Sequence, residues 1–67
     1  MTYLGKFATA EQIESLKRAT TTPYIIIGGM PPLSPVELAH SYALAAGLPE
    51  FEGYYGCDLR TGEFVAP

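Results

Sequence analysis

Four side chains of this 67-residue sequence carry groups that perform acid–base or nucleophilic catalysis when they converge: Glu37, His40, Cys57 and Asp58. His40 is the only histidine and Cys57 the only cysteine. Glu37 and His40, with Ser41 next to them, have the spacing of one helix side. Side chains on one helix side point outward together and rarely converge as a catalytic triad requires. We therefore expect His40 to be a solvated residue on an exposed helix face.

Cys57 lacks the surroundings that activate a thiol. A nucleophilic thiolate needs a nearby positive charge or a helix N-terminus to lower its pKa, whereas the nearest cation in sequence is Arg60. We expect Cys57 to be a small strand residue. One cysteine and one histidine also fall short of the four ligands of a structural zinc site. The sequence therefore predicts no catalytic residue, no metal site, no cofactor and no enzyme activity.

The glycine pair Gly28-Gly29 lies between an apolar run and a predicted helix, as in a phosphate-binding turn. The GxGxxG and GxxxxGK[ST] spacings are absent, and no lysine or arginine occurs in residues 20–59 to neutralise a phosphate. We interpret the pair as a tight turn by which the chain leaves the sheet.

The charge of the chain is unevenly distributed. The formal net charge is −3, from 4 basic and 7 acidic residues. Residues 1–34 contain three basic and two acidic residues, and residues 35–67 contain one basic and five acidic residues. Three cations give little affinity for a phosphate backbone, so nucleic-acid binding is disfavoured.

The helices have clear local signals. Thr9 and Gln12 form a capping box that opens a helix ending near Ala19, before the β-branched run 20–22 and Pro23. The segment 34–37, Ser-Pro-Val-Glu, opens a second helix that reaches about residue 46, followed by a glycine and a proline.

The strands alternate with these helices. Residues 24–27 include three consecutive isoleucines without period-2 alternation, which indicates a central strand buried on both faces. Residues 54–57 and 63–65 form a hairpin around a loop at 58–62, whose Gly62 provides a left-handed residue. Residues 2–7 are a weaker strand candidate. The order (β)αβαββ predicts one α+β domain over residues 1–67, in which two helices cover a single antiparallel or mixed sheet of three to four strands.

The second helix is unusually apolar. Its core-facing residues extend around the cylinder through Leu38 and Tyr42, while Leu44 falls on the side of Glu37 and His40. Leu44 is therefore expected to be exposed in a lone monomer. Either the helix packs against a second copy or another protein, or it is a well-buried central helix.

An acidic, aromatic stretch follows that helix. Carboxylates steer encounters with basic partners and tyrosines are rigid anchors, so the stretch has the composition of a protein-binding edge. The alternative is a solvated loop beside two structural tyrosines. Together with two residues of the second helix, the predicted protein-binding residues are Tyr42, Leu44, Glu50, Phe51, Glu52, Tyr54 and Tyr55.

These observations favour a non-enzymatic protein-interaction module, a small cytoplasmic adaptor or inhibitor of a kind common among phage and mobile-element proteins. It would bind a protein partner or form a homodimer. The alternatives are a small enzyme or ligand-binding subunit whose site is shared between protomers, and a weak nucleic-acid-binding regulator. No apolar run reaches the ~18–20 residues that span a membrane, and no secretory signal pattern is present.

Overall fold

The computed structural model describes residues 2–20, 25–27 and 34–67. These residues form two helices and a four-stranded antiparallel sheet of strand order β1-β4-β3-β2. The predicted fold class, a small α+β domain with two helices and an antiparallel sheet, is confirmed. The elements are β1 (Thr2–Phe7), α1 (Ala10–Ala19), β2 (Ile25–Ile26), α2 (Ser34–Ala45), β3 (Gly56–Asp58) and β4 (Glu63–Ala66).

Helix α1 begins at the predicted capping box. The Thr9 hydroxyl accepts the Gln12 amide N–H at 3.1 Å, and the Gln12 side-chain oxygen accepts the Thr9 N–H at 2.9 Å. These bonds satisfy two amides that have no partner inside the helix. Leu16 is fully buried and joins α1 to the core. The proposed stop signal at residues 21–23 lies outside the described residues.

Helix α2 ends at a glycine, as predicted. Gly47 has φ +94°, and the N–H groups of Gly47 and Leu48 donate to the carbonyls of Leu44 and Ala43 at 3.0 and 3.2 Å. This pair of bonds is a Schellman motif, which satisfies carbonyls that the helix end leaves free. The motif turns the chain from α2 towards the sheet, and Leu48 packs partly buried against the core.

The hairpin of β3 and β4 forms the centre of the sheet. Its register pairs Gly56 with Val65, Cys57 with Phe64 and Asp58 with Glu63. The Asp58 carbonyl accepts the N–H groups of Thr61 and Gly62, which closes the turn. Gly62 has φ +84°, so the predicted left-handed glycine is confirmed.

Replacing Gly62 with alanine is expected to lower the free energy of unfolding by roughly 1–3 kcal/mol. The substitution strains the left-handed backbone, and the new Cβ would lie 2.7 Å from Cδ1 of Ile13. Valine at position 13 lacks Cδ1. In the Ile13→Val background, the alanine at position 62 should therefore cost only the backbone strain, without the steric overlap. Urea unfolding of the two single variants and the double variant measures the coupling. Strictly additive effects would contradict the contact.

Strand β1 is an irregular edge strand. Tyr3 pairs with Val65 and Phe7 pairs with Glu63. Between these two pairs the chain moves four positions along β1 but only two along β4. Gly5, at φ +72°, lies in this bulge and donates its N–H to the Glu63 carboxylate at 2.8 Å. The side-chain acceptor replaces the ladder bond that the bulge interrupts.

Strand β2 is not central, and that prediction is wrong. Among the described residues β2 pairs only with β3, at the edge of the sheet. Ile26 is buried, but Ile27 is 51% exposed. An isoleucine run suits a half-buried edge as well as a centre, and the pairing partners decide between them. Tyr24 and the predicted turn at residues 28–33 lie outside the described part of the chain.

One hydrophobic core lies where both helices meet the sheet. Helix α2 contacts α1, β2 and β3, so it occupies the middle of the packing. Around this core Leu4, Ile13 and Tyr54 are partly buried. The buried core residues are Leu16, Ile26, Val36, Ala39, Ala43, Tyr55, Cys57, Leu59 and Phe64.

Candidate functional site

Residues 50–55 connect the end of α2 to β3, and their exposure falls steeply along the segment. Glu50, Phe51 and Glu52 are exposed, Tyr54 is half-buried and Tyr55 is only 4% exposed. The predicted binding residues of this segment therefore divide into a solvent-facing group and an inner group. We call Glu50, Phe51 and Glu52 the acidic-aromatic surface.

Tyr55 fastens this segment to the rest of the protein. Its hydroxyl donates to the carbonyl of Pro49, which holds the start of the segment against its end. Its ring meets the Phe51 ring at a centroid distance of 4.6 Å. A buried tyrosine with a hydrogen-bonded hydroxyl is a structural residue. Tyr55, one of the predicted protein-binding residues, is buried in the core, as in the alternative of a structural tyrosine.

His40 is not the solvated residue that its helix position predicted. It is half-buried, and its Nδ1 accepts the backbone N–H of Tyr55 at 3.1 Å. Its ring lies 4.8 Å from the Tyr54 ring and 5.5 Å from the Tyr55 ring, centroid to centroid. The contacts come from residues 14 and 15 positions later, which periodicity within the helix does not reveal.

Phe51 is the exposed apolar group of the acidic-aromatic surface. The residue is 38% exposed. One side of its ring lies close to Gly53, where a Cβ would come within 3.2 Å of the ring. Glu50 and Glu52 flank it with exposed carboxylates. The arrangement suits contact with an apolar patch that has cations at its rim.

Helix α2 buries its apolar side within the protein. Tyr42 and Leu44 are half-buried and pack against the core. The expectation that Leu44 is exposed is therefore wrong, because the chain beyond the helix folds back over that side. Ala45 at the end of α2 and Ala46 directly after it remain exposed. The structure thus agrees with the alternative of a well-buried central helix.

Asp58 is a buried carboxylate that joins β1 to the hairpin turn. It accepts the Tyr3 hydroxyl at 2.7 Å, the Arg60 side chain through Nε at 3.1 Å and Nη2 at 2.9 Å, and the Arg60 backbone N–H at 3.0 Å. The Arg60 hydrogen bonds hold the pKa of Asp58 well below its usual range, although burial opposes them. The bond to Asp58 raises the pKa of Tyr3. Asp58 is therefore a fixed acceptor rather than a proton donor.

Cys57 is the strand residue that the sequence predicted, and the structure buries it. It lies in β3 with no exposed surface, and burial, aided by the neighbouring Asp58 charge, raises the pKa of its thiol to about 11. The thiol is therefore protonated at neutral pH and is a poor nucleophile. Within the described ranges, no three His, Cys, Asp or Glu residues are grouped to hold a metal ion.

The structure also exposes apolar residues that the sequence did not single out. Tyr3 and Phe7 on β1 are 43% and 57% exposed, and Ile27 follows β2. Both edges of the sheet thus carry exposed apolar side chains. The sequence indicates a strand at β1 but not that its apolar side chains are exposed. Their exposure depends on which strand lies at the edge of the sheet.

An open groove of about 610 Å³ runs along α1 and reaches Tyr42 of α2. Its lining is mixed, with charged residues Glu11, Glu14 and Arg18 beside Ala10. Small-molecule sites are usually enclosed and mainly apolar with a few converging polar groups. This groove has neither property, so the acidic-aromatic surface is the stronger candidate site.

Comparison with known proteins finds no matching family model, no matching curated protein and no matching solved structure. None of the helices in the described residues is long and apolar enough to cross a membrane. The site must therefore be interpreted from its own geometry.

Proposed function

We propose that this protein is a non-enzymatic interaction module that binds a protein partner through the acidic-aromatic surface. The observation that carries the proposal is Phe51, a residue 38% exposed on a segment anchored by Tyr55. Aromatic side chains, phenylalanine included, are enriched in protein interfaces, where a few anchoring residues carry most of the binding energy.

The anchoring of this segment favours binding, because a loop that becomes ordered only on binding loses conformational entropy. The Tyr55 hydroxyl closes the segment onto Pro49, and the Tyr55 amide joins it to His40. The Schellman motif at Gly47 fixes the preceding chain. Phe51 is thus presented from a preformed loop, which reduces the entropy lost on binding.

The charge of the surface supports a basic partner. Glu50 and Glu52 are exposed on either side of Phe51, and the sequence has no lysine or arginine in residues 20–59. Carboxylates at a rim raise the association rate of cationic proteins and reject acidic ones. A small cytoplasmic adaptor or inhibitor, phage- or mobile-element-encoded, is the role we propose. Its partner is a protein with a basic, partly apolar surface, and a homodimer is the competing arrangement.

The test uses the full chain as bait in cells of the organism that encodes it, followed by titration calorimetry with each purified captured protein. We expect Phe51→Ala to weaken binding by roughly ten- to thirtyfold, as loss of an aromatic anchor does. We expect Glu50→Gln with Glu52→Gln to weaken binding severalfold at low salt and less at high salt.

The matched control is Glu11→Gln with Glu14→Gln, which removes two exposed carboxylates from α1 instead. This pair changes the net charge equally and should leave affinity unchanged. Circular dichroism and urea midpoints establish that each variant is folded. A strictly monomeric chain that captures no protein would refute the proposal, as would equal affinity for wild type and Phe51→Ala.

A further inference from the structure

The contact between His40 and Tyr55 has a chemical requirement. A backbone N–H donates to Nδ1 of His40 at 3.1 Å, and an imidazole nitrogen accepts only when it carries no proton. The bonded form of His40 is therefore the neutral tautomer with its proton on Nε2. The bond that anchors Tyr55 exists in one protonation state of this histidine.

We propose that His40 is a pH-sensitive switch whose protonation releases Tyr55 from α2 and loosens the acidic-aromatic surface. Adding a proton to Nδ1 converts the acceptor into a donor that faces the Tyr55 N–H. The hydrogen bond is then lost, and the two positively polarised hydrogens repel each other. The effect on partner binding rests on the proposed function, but the release of Tyr55 does not.

A movement of Tyr55 would affect Phe51 directly, because the two residues are in contact. The Tyr55 ring meets the Phe51 ring, and the Tyr55 hydroxyl holds the Pro49 carbonyl. The amide of the same residue is the group that His40 holds. One residue therefore connects the histidine to the exposed aromatic ring, with no intervening side chain.

Several titratable groups belong to the helix that carries His40 and to the elements that contact this helix. Glu37 lies one turn before His40 on α2, and the rings of Tyr54 and Tyr55 lie against the imidazole. On β3, the Cys57 thiol is neutral and Asp58 is paired with Arg60. On α1, the groove-lining Glu11, Glu14 and Arg18 lie towards Tyr42.

The experiment is an NMR titration of the ¹⁵N-labelled full chain from pH 8 to pH 5, without a partner. At pH 8 the ring ¹⁵N shifts of His40 should report the proton on Nε2. As His40 titrates, the hydrogen-exchange protection of the Tyr55 amide should fall by about five- to tenfold, the loss expected for one hydrogen bond. A protected Tyr55 amide throughout the titration, or a proton on Nδ1 at pH 8, would overturn the switch.

Two variants of His40 distinguish the role of its acceptor atom from the role of its stacking ring. In His40→Asn the side-chain oxygen takes the place of Nδ1 and does not titrate, so Tyr55 protection should be independent of pH. His40→Phe keeps a stacking ring without an acceptor, and Tyr55 should be unprotected at every pH. If both variants follow the wild-type pH profile, His40 is not the titrating group and the proposal fails.

Binding of the captured partner at pH 8 and pH 5.5 tests the consequence. We expect the wild-type affinity to fall severalfold on acidification and the His40→Asn affinity to change less. Release of the Tyr55 amide with unchanged partner affinity would refute control of the surface. Failure to find a partner refutes the proposed function and leaves the NMR result standing on its own.

Discussion

Gly56→Ala is expected to lower the free energy of unfolding by about 3 kcal/mol or more and to detach β2 from the sheet. A Cβ on Gly56 would lie 2.0 Å from the backbone oxygen of Ile26 and 2.9 Å from Cα of Ile27. Both obstacles are backbone atoms, so no side-chain rotation relieves the overlap. A 67-residue domain has only about 3–10 kcal/mol of stability. Urea unfolding followed by circular dichroism measures the loss.

The control for Gly56 is Gly47→Ala. No atom lies within 4 Å of a Cβ at Gly47, whose φ is +94°. The control therefore carries backbone strain without a clash, and about 1 kcal/mol is expected. Amide exchange at Cys57, which pairs with Ile26 of β2 and whose N–H alternates with that of Asp58, should increase only in Gly56→Ala. Equal losses in the two variants would contradict the close approach of β2 to β3.

Asp58→Ala is expected to lower the free energy of unfolding by about 2–4 kcal/mol at pH 7. The change removes the acceptor for Tyr3 and for the backbone and side chain of Arg60. Hydrogen bonds to a charged group contribute about 1.5–3 kcal/mol each, but bonds in one network do not add. The exposed Arg60 side chain can form hydrogen bonds to water in the variant, which limits the loss of stability.

The low pKa of Asp58 also makes the stability of the fold sensitive to acid. The pKa of Asp58 in the folded protein lies below the value of about 3.9 of an unfolded chain. The unfolded chain therefore binds the proton more readily, and this stabilisation is present above about pH 4 and is lost as the pH falls. Asp58→Asn keeps an acceptor for the Arg60 amide but has no charge to titrate.

The difference in unfolding free energy between wild type and Asp58→Asn should shrink from pH 7 to pH 3, measured by urea unfolding at both values. The Glu11→Gln variant, which changes an exposed carboxylate without a bond in this network, is the control. A difference that is as large at pH 3 as at pH 7 would show that the charge of Asp58 does not stabilise the fold.

The fold class followed from signals spread along the chain, but the position of β2 did not. The capping box at Thr9 and the glycines Gly47 and Gly62 act within five residues, and the structure shows each in its expected conformation. The isoleucine run predicted a central strand. Its true place at the edge depends on the pairing of β3 with β4, which forms the centre of the sheet.

In the sequence, the candidate site is visible only as a stretch of unusual composition. Acidity next to aromatic residues drew attention to residues 50–55, yet composition does not separate Phe51, which is exposed, from Tyr55, which is buried. Leu44 and His40 were assigned from helix periodicity alone. The segment that covers their side of α2 joins the helix only in the folded chain.

The sequence by itself determined where this protein turns, caps its helices and carries its charge, because those properties depend on neighbouring residues. Only the tertiary structure decided the strand order, the burial of Asp58 and the contact of His40 with the Tyr55 amide. Each of these joins segments far apart in the chain. Their formation depends on packing one shared core, and no local pattern encodes which face that core leaves open.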